Sequence, residues 1–114
     1  MPFNDIEFQR IKKIIGGFCK ERIPSHQRSQ IKVLYEIKGN EIILFESRPC
    51  VPNSHLWSEN AVAKFQYDQA TMNWKLFYRM SDQRWQEYLK VGPTRNLKSL
   101  IDEVAVDPYQ FFWG

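Results

Sequence analysis

Two cysteines, two histidines and five glycines in 114 residues leave little material for several common kinds of site. Cys19 and Cys50 share no C-x-x-C spacing, so they build neither a disulfide framework nor a thiolate metal knuckle, and they are expected to be reduced, partly buried thiols. His26 and His55 stand far apart, with no carboxylate or thiol at ligand spacing, so no metal is expected. Glycine-rich phosphate loops, dinucleotide fingerprints and nucleophile elbows are missing, which leaves no cofactor and no catalytic residue to name. No apolar run approaches the ~18 residues of a membrane span, and the opening MPFNDIEFQ lacks the basic-then-apolar order of a secretory signal. The expectation is a cytoplasmic protein that does not enter a membrane.

Acids are scarce in one region. Residues 10–32 carry Arg10, Lys12, Lys13, Lys20, Arg22, Arg28 and Lys32 against Glu21 alone, +6, so the rest of this +3 chain carries −3. A basic end facing an acidic body favours an anionic partner. Hydrophobic residues at 43% and aromatics at 15% suffice for one core, and the length allows a single domain over residues 1–114.

The first element is a helix. Asn4 can cap it, Glu7 can return the bond to the Asn4 N–H, and Phe3 can staple to Phe8. At 100° per residue Phe8, Ile11, Ile14, Ile15, Phe18 and Cys19 share one face, while Arg10, Lys13, Gly17 and Lys20 share the other. Gly16-Gly17 predicts a kink or an early end, because each glycine costs ~1 kcal/mol relative to Ala. A close approach of another backbone or a phosphate at Gly17 is the sharper reading.

After Ile23-Pro24 the period becomes two. Residues 31–38 alternate, Gly39-Asn40 makes a two-residue turn, and residues 41–48 return. That turn opposes Ile37 with Ile42, Tyr35 with Leu44, Val33 with Glu46 and Ile31 with Arg48. Residues 49–60 read as a loop, and residues 61–68, 74–79 and 84–89 as three more strands. A four-residue turn at 80–83 would set Tyr78 opposite Trp85 and Trp74 opposite Leu89, placing the tryptophans in the core. Leu97, Leu100, Ile101 and Val104 then repeat at helical spacing after Asn96 or Thr94, and Asp107-Pro108 predicts a last short helical turn. The fold class is α+β, an N-terminal amphipathic helix and a C-terminal helix on a five-stranded antiparallel meander.

The register sends Glu46 and Arg48 inward at the open end of the core face. A charge taken out of water costs several kcal/mol unless paired, so the two must bond each other, the chain after Pro24, or a ligand. The loop IPSHQRSQ feeds the strand beside them, and His26, Arg28 and Gln30 are expected to join Glu46 and Arg48 in a rim that recognises an anionic group. Two other readings stand beside this non-catalytic module. One is RNA or DNA binding along the stripe Arg10, Lys13 and Lys20, with nuclease activity as its extension; the other is a homodimeric accessory protein joined through the apolar tail YQFFWG, which requires that the tail not fold back onto the sheet, the arrangement otherwise expected. Glu36-x-Lys38 fits the letters of a metal-dependent nuclease strand, but it adjoins the turn without an upstream acid and reads as an exposed charge pair. Cys50 beside Arg48 and His26 is the weakest nucleophile candidate.

The segments IPSHQRSQIKVLYEIKGNEIILFESRP, VAKFQYDQATMNWKLFY, RWQEY and DPYQFFWG together resemble the small bacterial family catalogued as domain of unknown function 3024. The likeness runs from Ile23 to the end. Its motif positions fall on Pro24, His26, Arg28, Gln30, Glu46, Arg48, Pro49, Lys64, Phe65, Trp74, Tyr78, Trp85, Tyr88, Asp107, Pro108, Trp113 and Gly114. Ser25 is often proline and Ser47 often arginine in that pattern. The resemblance implies which residues group together and implies no chemistry.

Overall fold

The computed structural model describes residues 3–50 and 56–113. Helix α1, Asp5–Arg22, begins at the expected cap: the Asn4 side chain accepts from Glu7 N at 2.8 Å, and Glu7 Oε1 accepts from Asn4 N at 3.2 Å. The ring contacts of Phe3, expected as a staple on Phe8, are with the sheet. Phe3 stacks on Trp74 at 5.5 Å and tilts against Tyr67 at 5.3 Å, anchoring the helix start to the sheet.

The predicted break at Gly16-Gly17 does not occur, and the helix runs through both. Gly16 lies under the Tyr35 ring, whose Cε1 would stand 3.6 Å from an added Cβ, so ring packing supports the turn that two glycines weaken. Nothing lies within 4 Å of an added Cβ at Gly17. Gly17→Ala should therefore raise stability by about 0.5–1 kcal/mol, through reduced backbone entropy of the unfolded chain. An unchanged urea midpoint would refute that.

The sheet is a meander in the order β1 (Lys32–Lys38), β2 (Glu41–Pro49), β3 (Trp57–Asp68), β4 (Asn73–Arg79), β5 (Trp85–Glu87), antiparallel throughout. The first hairpin keeps the expected register, with Ile37 on Ile42, Tyr35 on Leu44 and Val33 on Glu46; Gly39 supplies the positive φ of 56°. Strand β3 is four residues longer at its start than its alternation implies. A bulge opposite Leu44 and Phe45 gives it one extra residue there, Val62.

One register differs from expectation, with consequences for every side chain beyond it. Residues 80–84 form the β4–β5 turn, closed by Met80 N to Arg84 O at 2.7 Å, and Gln83 takes φ 73° within it. Arg79 therefore faces Trp85 and Tyr78 faces Gln86. A slip of one residue reverses the face, so Trp85 leaves the core. Trp74 stays in it, 5% exposed, bridged to Thr94 rather than to Leu89.

Helix α2, Leu97–Val106, packs Leu97, Leu100, Ile101 and Val104 into the same core as Ile15, Leu44, Phe65 and Leu76. Asn96 caps its start through Lys98 N. The predicted final helical turn is absent. Asp107 instead adopts the left-handed conformation at φ 48°, and its carboxylate accepts from Phe112 N at 3.2 Å and Trp113 N at 2.9 Å. The tail so bent buries Phe112 and ties Trp113 Nε1 to the Val104 carbonyl at 2.8 Å. Both helices cover one face of the sheet. Among the described residues no helix is long and apolar enough to cross a membrane.

Candidate functional site

Of the residues expected at the rim, Glu46 and Arg48 meet. Arg48 Nε donates to Glu46 Oε1 at 2.6 Å, with the Glu46 side chain 19% and the Arg48 side chain 58% exposed. A carboxylate this close sets the direction of the guanidinium. Arg28 is bonded elsewhere: its Nη2 donates to the Lys20 carbonyl at 2.8 Å, satisfying an open acceptor at the end of α1. His26 sits in the short 3-10 turn Ser25–Gln27 and Gln30 beyond it, both exposed, and neither side chain bonds to Glu46 or Arg48 among the described residues. His55 lies outside the described residues.

Arg10, Lys13 and Lys20 are all exposed on α1, as the helical spacing demands. The Glu36-x-Lys38 letters resolve into an ion pair at 3.5 Å on the exposed side of β1. Among the described residues no group of three or more His, Cys, Asp or Glu gathers. Cys19 and Cys50 are free, and burial pushes the Cys19 thiol up to about 12, which leaves it protonated and unreactive near neutrality.

A different cluster forms on the sheet face that the helices leave uncovered. Cross-strand pairing places Lys64 beside Phe77, and Arg79 beside Trp85. Lys64 Nζ stands 4.6 Å from the Phe77 centroid and 5.3 Å from that of Trp85, while the Arg79 guanidinium stands 5.0 Å from Trp85. Further along the same face Lys32 Nζ lies 4.3 Å over Trp57. Glu41 is 3.7 Å from Lys64 Nζ and partly neutralises it.

Arg79 has the more open chemistry. Its Nη2 donates to Gln83 Oε1 at 3.1 Å, but its Nε is buried with no hydrogen-bond partner, the one such side-chain atom among the described residues. It borders a cavity of about 340 Å³ whose walls include Phe45, Ala61, Trp85, Glu59 and Gln83. The Gln83 amide is carried there by a backbone that non-glycine residues seldom adopt. The turn is stiffened by Asp82, which accepts from Arg84 N and Arg84 Nε, and these bonds hold its carboxyl below the usual range. The sequence does not bring Lys64, Arg79 and Trp85 together, because the alternation across 80–83 assigns Trp85 to the other face. The usable signal was the turn's own polarity, S-D-Q-R, which suits a longer loop than four residues.

A model of the family described as Domain of unknown function (DUF3024) matches residues 3–114. No curated protein and no solved structure matches the chain.

Proposed function

We propose that this chain, which belongs to the Domain of unknown function (DUF3024) family, is a non-catalytic binding module that takes a carboxylate at Arg79 on the uncovered face of its sheet. The observation that carries this reading is the unpartnered Arg79 Nε. A buried donor without a partner costs about 1–3 kcal/mol, and a guanidinium edge satisfied on one nitrogen alone is an incomplete fork. Gln83 Oε1 occupies the position of one carboxylate oxygen. An incoming carboxylate that displaces it would accept from Nε and Nη2 together, replacing one bond to a neutral amide by two bonds to a charged carboxylate. The Trp85 ring against the guanidinium holds the fork in plane, and Phe45 and Ala61 supply an apolar wall for the body that carries the acid.

Acetate is the simplest probe. The Arg79 Nε–H resonance should shift saturably on addition of acetate, and Arg79→Lys, which keeps the charge and loses the fork, should weaken binding at least about tenfold. A resonance unmoved by acetate, or equal binding by Arg79→Lys, would overturn the reading. The Glu46–Arg48 pair belongs to the same proposal only as a second, outward-facing anion contact. Arg48→Ala tests that part, since it should leave the Arg79 response intact.

A second reading, single-stranded nucleic acid, draws support from the repeated cation-on-ring pairs Lys32–Trp57, Lys64–Phe77 and Arg79–Trp85 on one face. It differs in salt response: binding through several phosphates weakens steeply with salt.

A further inference from the structure

A second cavity, of about 480 Å³, opens on the covered side between the start of α1, the β3–β4 turn and the start of α2. Its volume falls within the roughly 300–1,000 Å³ typical of small-molecule sites. The inner wall is aromatic. Trp74 stacks on Phe3 and lies 5.0 Å from Tyr67, centroid to centroid, and all three rings line the space. At the mouth Met72 holds a strained backbone at φ 58° with its side chain mostly in water.

The charges at this mouth are unbalanced. Arg10 reaches it from α1, Arg95 and Lys98 from the start of α2, and the acid beside them is Glu7. Glu7 is engaged in the cap of α1, and Lys98 is engaged with Asp102. Arg10 and Arg95 are exposed and make no side-chain hydrogen bond or ion pair among the described residues. The first turn of α2 adds the positive end of a helix dipole on the same side.

We infer that this cavity binds an amphipathic anion, with a flat apolar body against Phe3, Tyr67 and Trp74 and a single anionic head between Arg10 and Arg95. An aromatic interior wants a planar ring or short acyl chain, and the two uncompensated guanidinium groups want charge; neither half alone explains the lining.

The probe is 8-anilinonaphthalene-1-sulfonate, compared with neutral N-phenyl-1-naphthylamine. The sulfonate should bind saturably at one site and shift the Trp74 indole N–H resonance, and the neutral analogue should bind at least about tenfold more weakly. Arg10→Glu and Arg95→Glu, both at exposed positions, should each weaken the sulfonate about tenfold or more, with unchanged melting temperatures. Arg79→Lys should leave it unaltered, so failure here and failure at the sheet face are separable. The inference is overturned by equal binding of the two dyes, by indifference to both reversals, or by shifts confined to the exposed Tyr109 and Phe111 rings.

Discussion

Trp113→Ala is expected to lower stability by about 3 kcal/mol, with a fall in melting temperature of roughly 10–15 °C for a domain of this size. The ring does three things. Its Nε1 donates to the Val104 carbonyl at 2.8 Å, closing an open acceptor near the end of α2. It lies under the Arg22 guanidinium at 4.4 Å, and Arg22 Nη1 donates to the Ala105 carbonyl at 3.2 Å, so one cation joins the ends of both helices. It also meets Phe18, centroids 6.5 Å apart. Full truncation of a buried tryptophan costs about 3–5 kcal/mol; Trp113 is only half-buried, which lowers that figure, while the guanidinium contact restores about 0.5–1 kcal/mol. Trp113→Phe keeps the apolar contact and loses the N–H bond, so it should cost about 1 kcal/mol. Urea denaturation measures both. A loss below 1 kcal/mol for the alanine variant would mean that the tail rests on the core without bracing it, and that Asp107 alone holds it.

The tail also shows where sequence reasoning succeeds and where it stops. Asp107-Pro108 suggests an acid that caps a last helical turn, whereas the backbone amides it accepts from are those of Phe112 and Trp113, five and six residues ahead in a loop. Local spacing cannot choose between a cap and a wider loop when both satisfy the same carboxylate. The first hairpin was legible because Gly39-Asn40 permits one tight turn and the flanking alternation accepts one register. The β4–β5 connection was not, because Gln83 rather than a glycine takes the positive φ. That single residue moved Trp85 beside Arg79 and created the sheet-face cluster. Glu46 and Arg48 pair as the hairpin implies, but Arg48 does not turn inward at the mouth of the core: its side chain is 58% exposed, and the ladder with β1 ends at Lys32 and Ser47, short of the expected Ile31–Arg48 pair. Arg28 falls in the loop that feeds the rim, but its bond to the Lys20 carbonyl comes from the turn Ser25–Gln27, which carries no pattern in the sequence. The cavity between the helix starts needs the three-dimensional approach of three segments and had no local signature.

Glu103→Ala should remove about 2–3 kcal/mol at neutral pH by leaving the buried Tyr88 hydroxyl without an acceptor. Tyr88 is 2% exposed, its Oη donates to Glu103 Oε2 at 2.7 Å, and Lys90 Nζ donates to the same oxygen at 3.0 Å and to Oε1 at 3.1 Å. Burial pushes the Glu103 carboxyl up, but the Tyr88 bond and the Lys90 charge outweigh it and hold the group below its usual value of 4.5. Burial, then the bond to Glu103, pushes the Tyr88 phenol above its usual 10.0. A carboxyl with a depressed folded-state value stabilises fully above 4.5 and loses that contribution as pH falls through the lower value. A phenol with a raised value stabilises fully below 10.0 and loses its contribution as pH rises through the higher one. Between the two limits the contribution is flat, so the gap between wild type and Glu103→Ala should be constant from about pH 5 to 9 and shrink on acidification below about pH 4. Glu103→Gln keeps an acceptor for Tyr88 and loses the Lys90 pair; it should cost about 1 kcal/mol and show a weaker acid limb. Denaturation midpoints at pH 7 and pH 3 decide this. A gap between wild type and Glu103→Ala that is the same at both would show that packing of the side chain, rather than its charge, supports Tyr88.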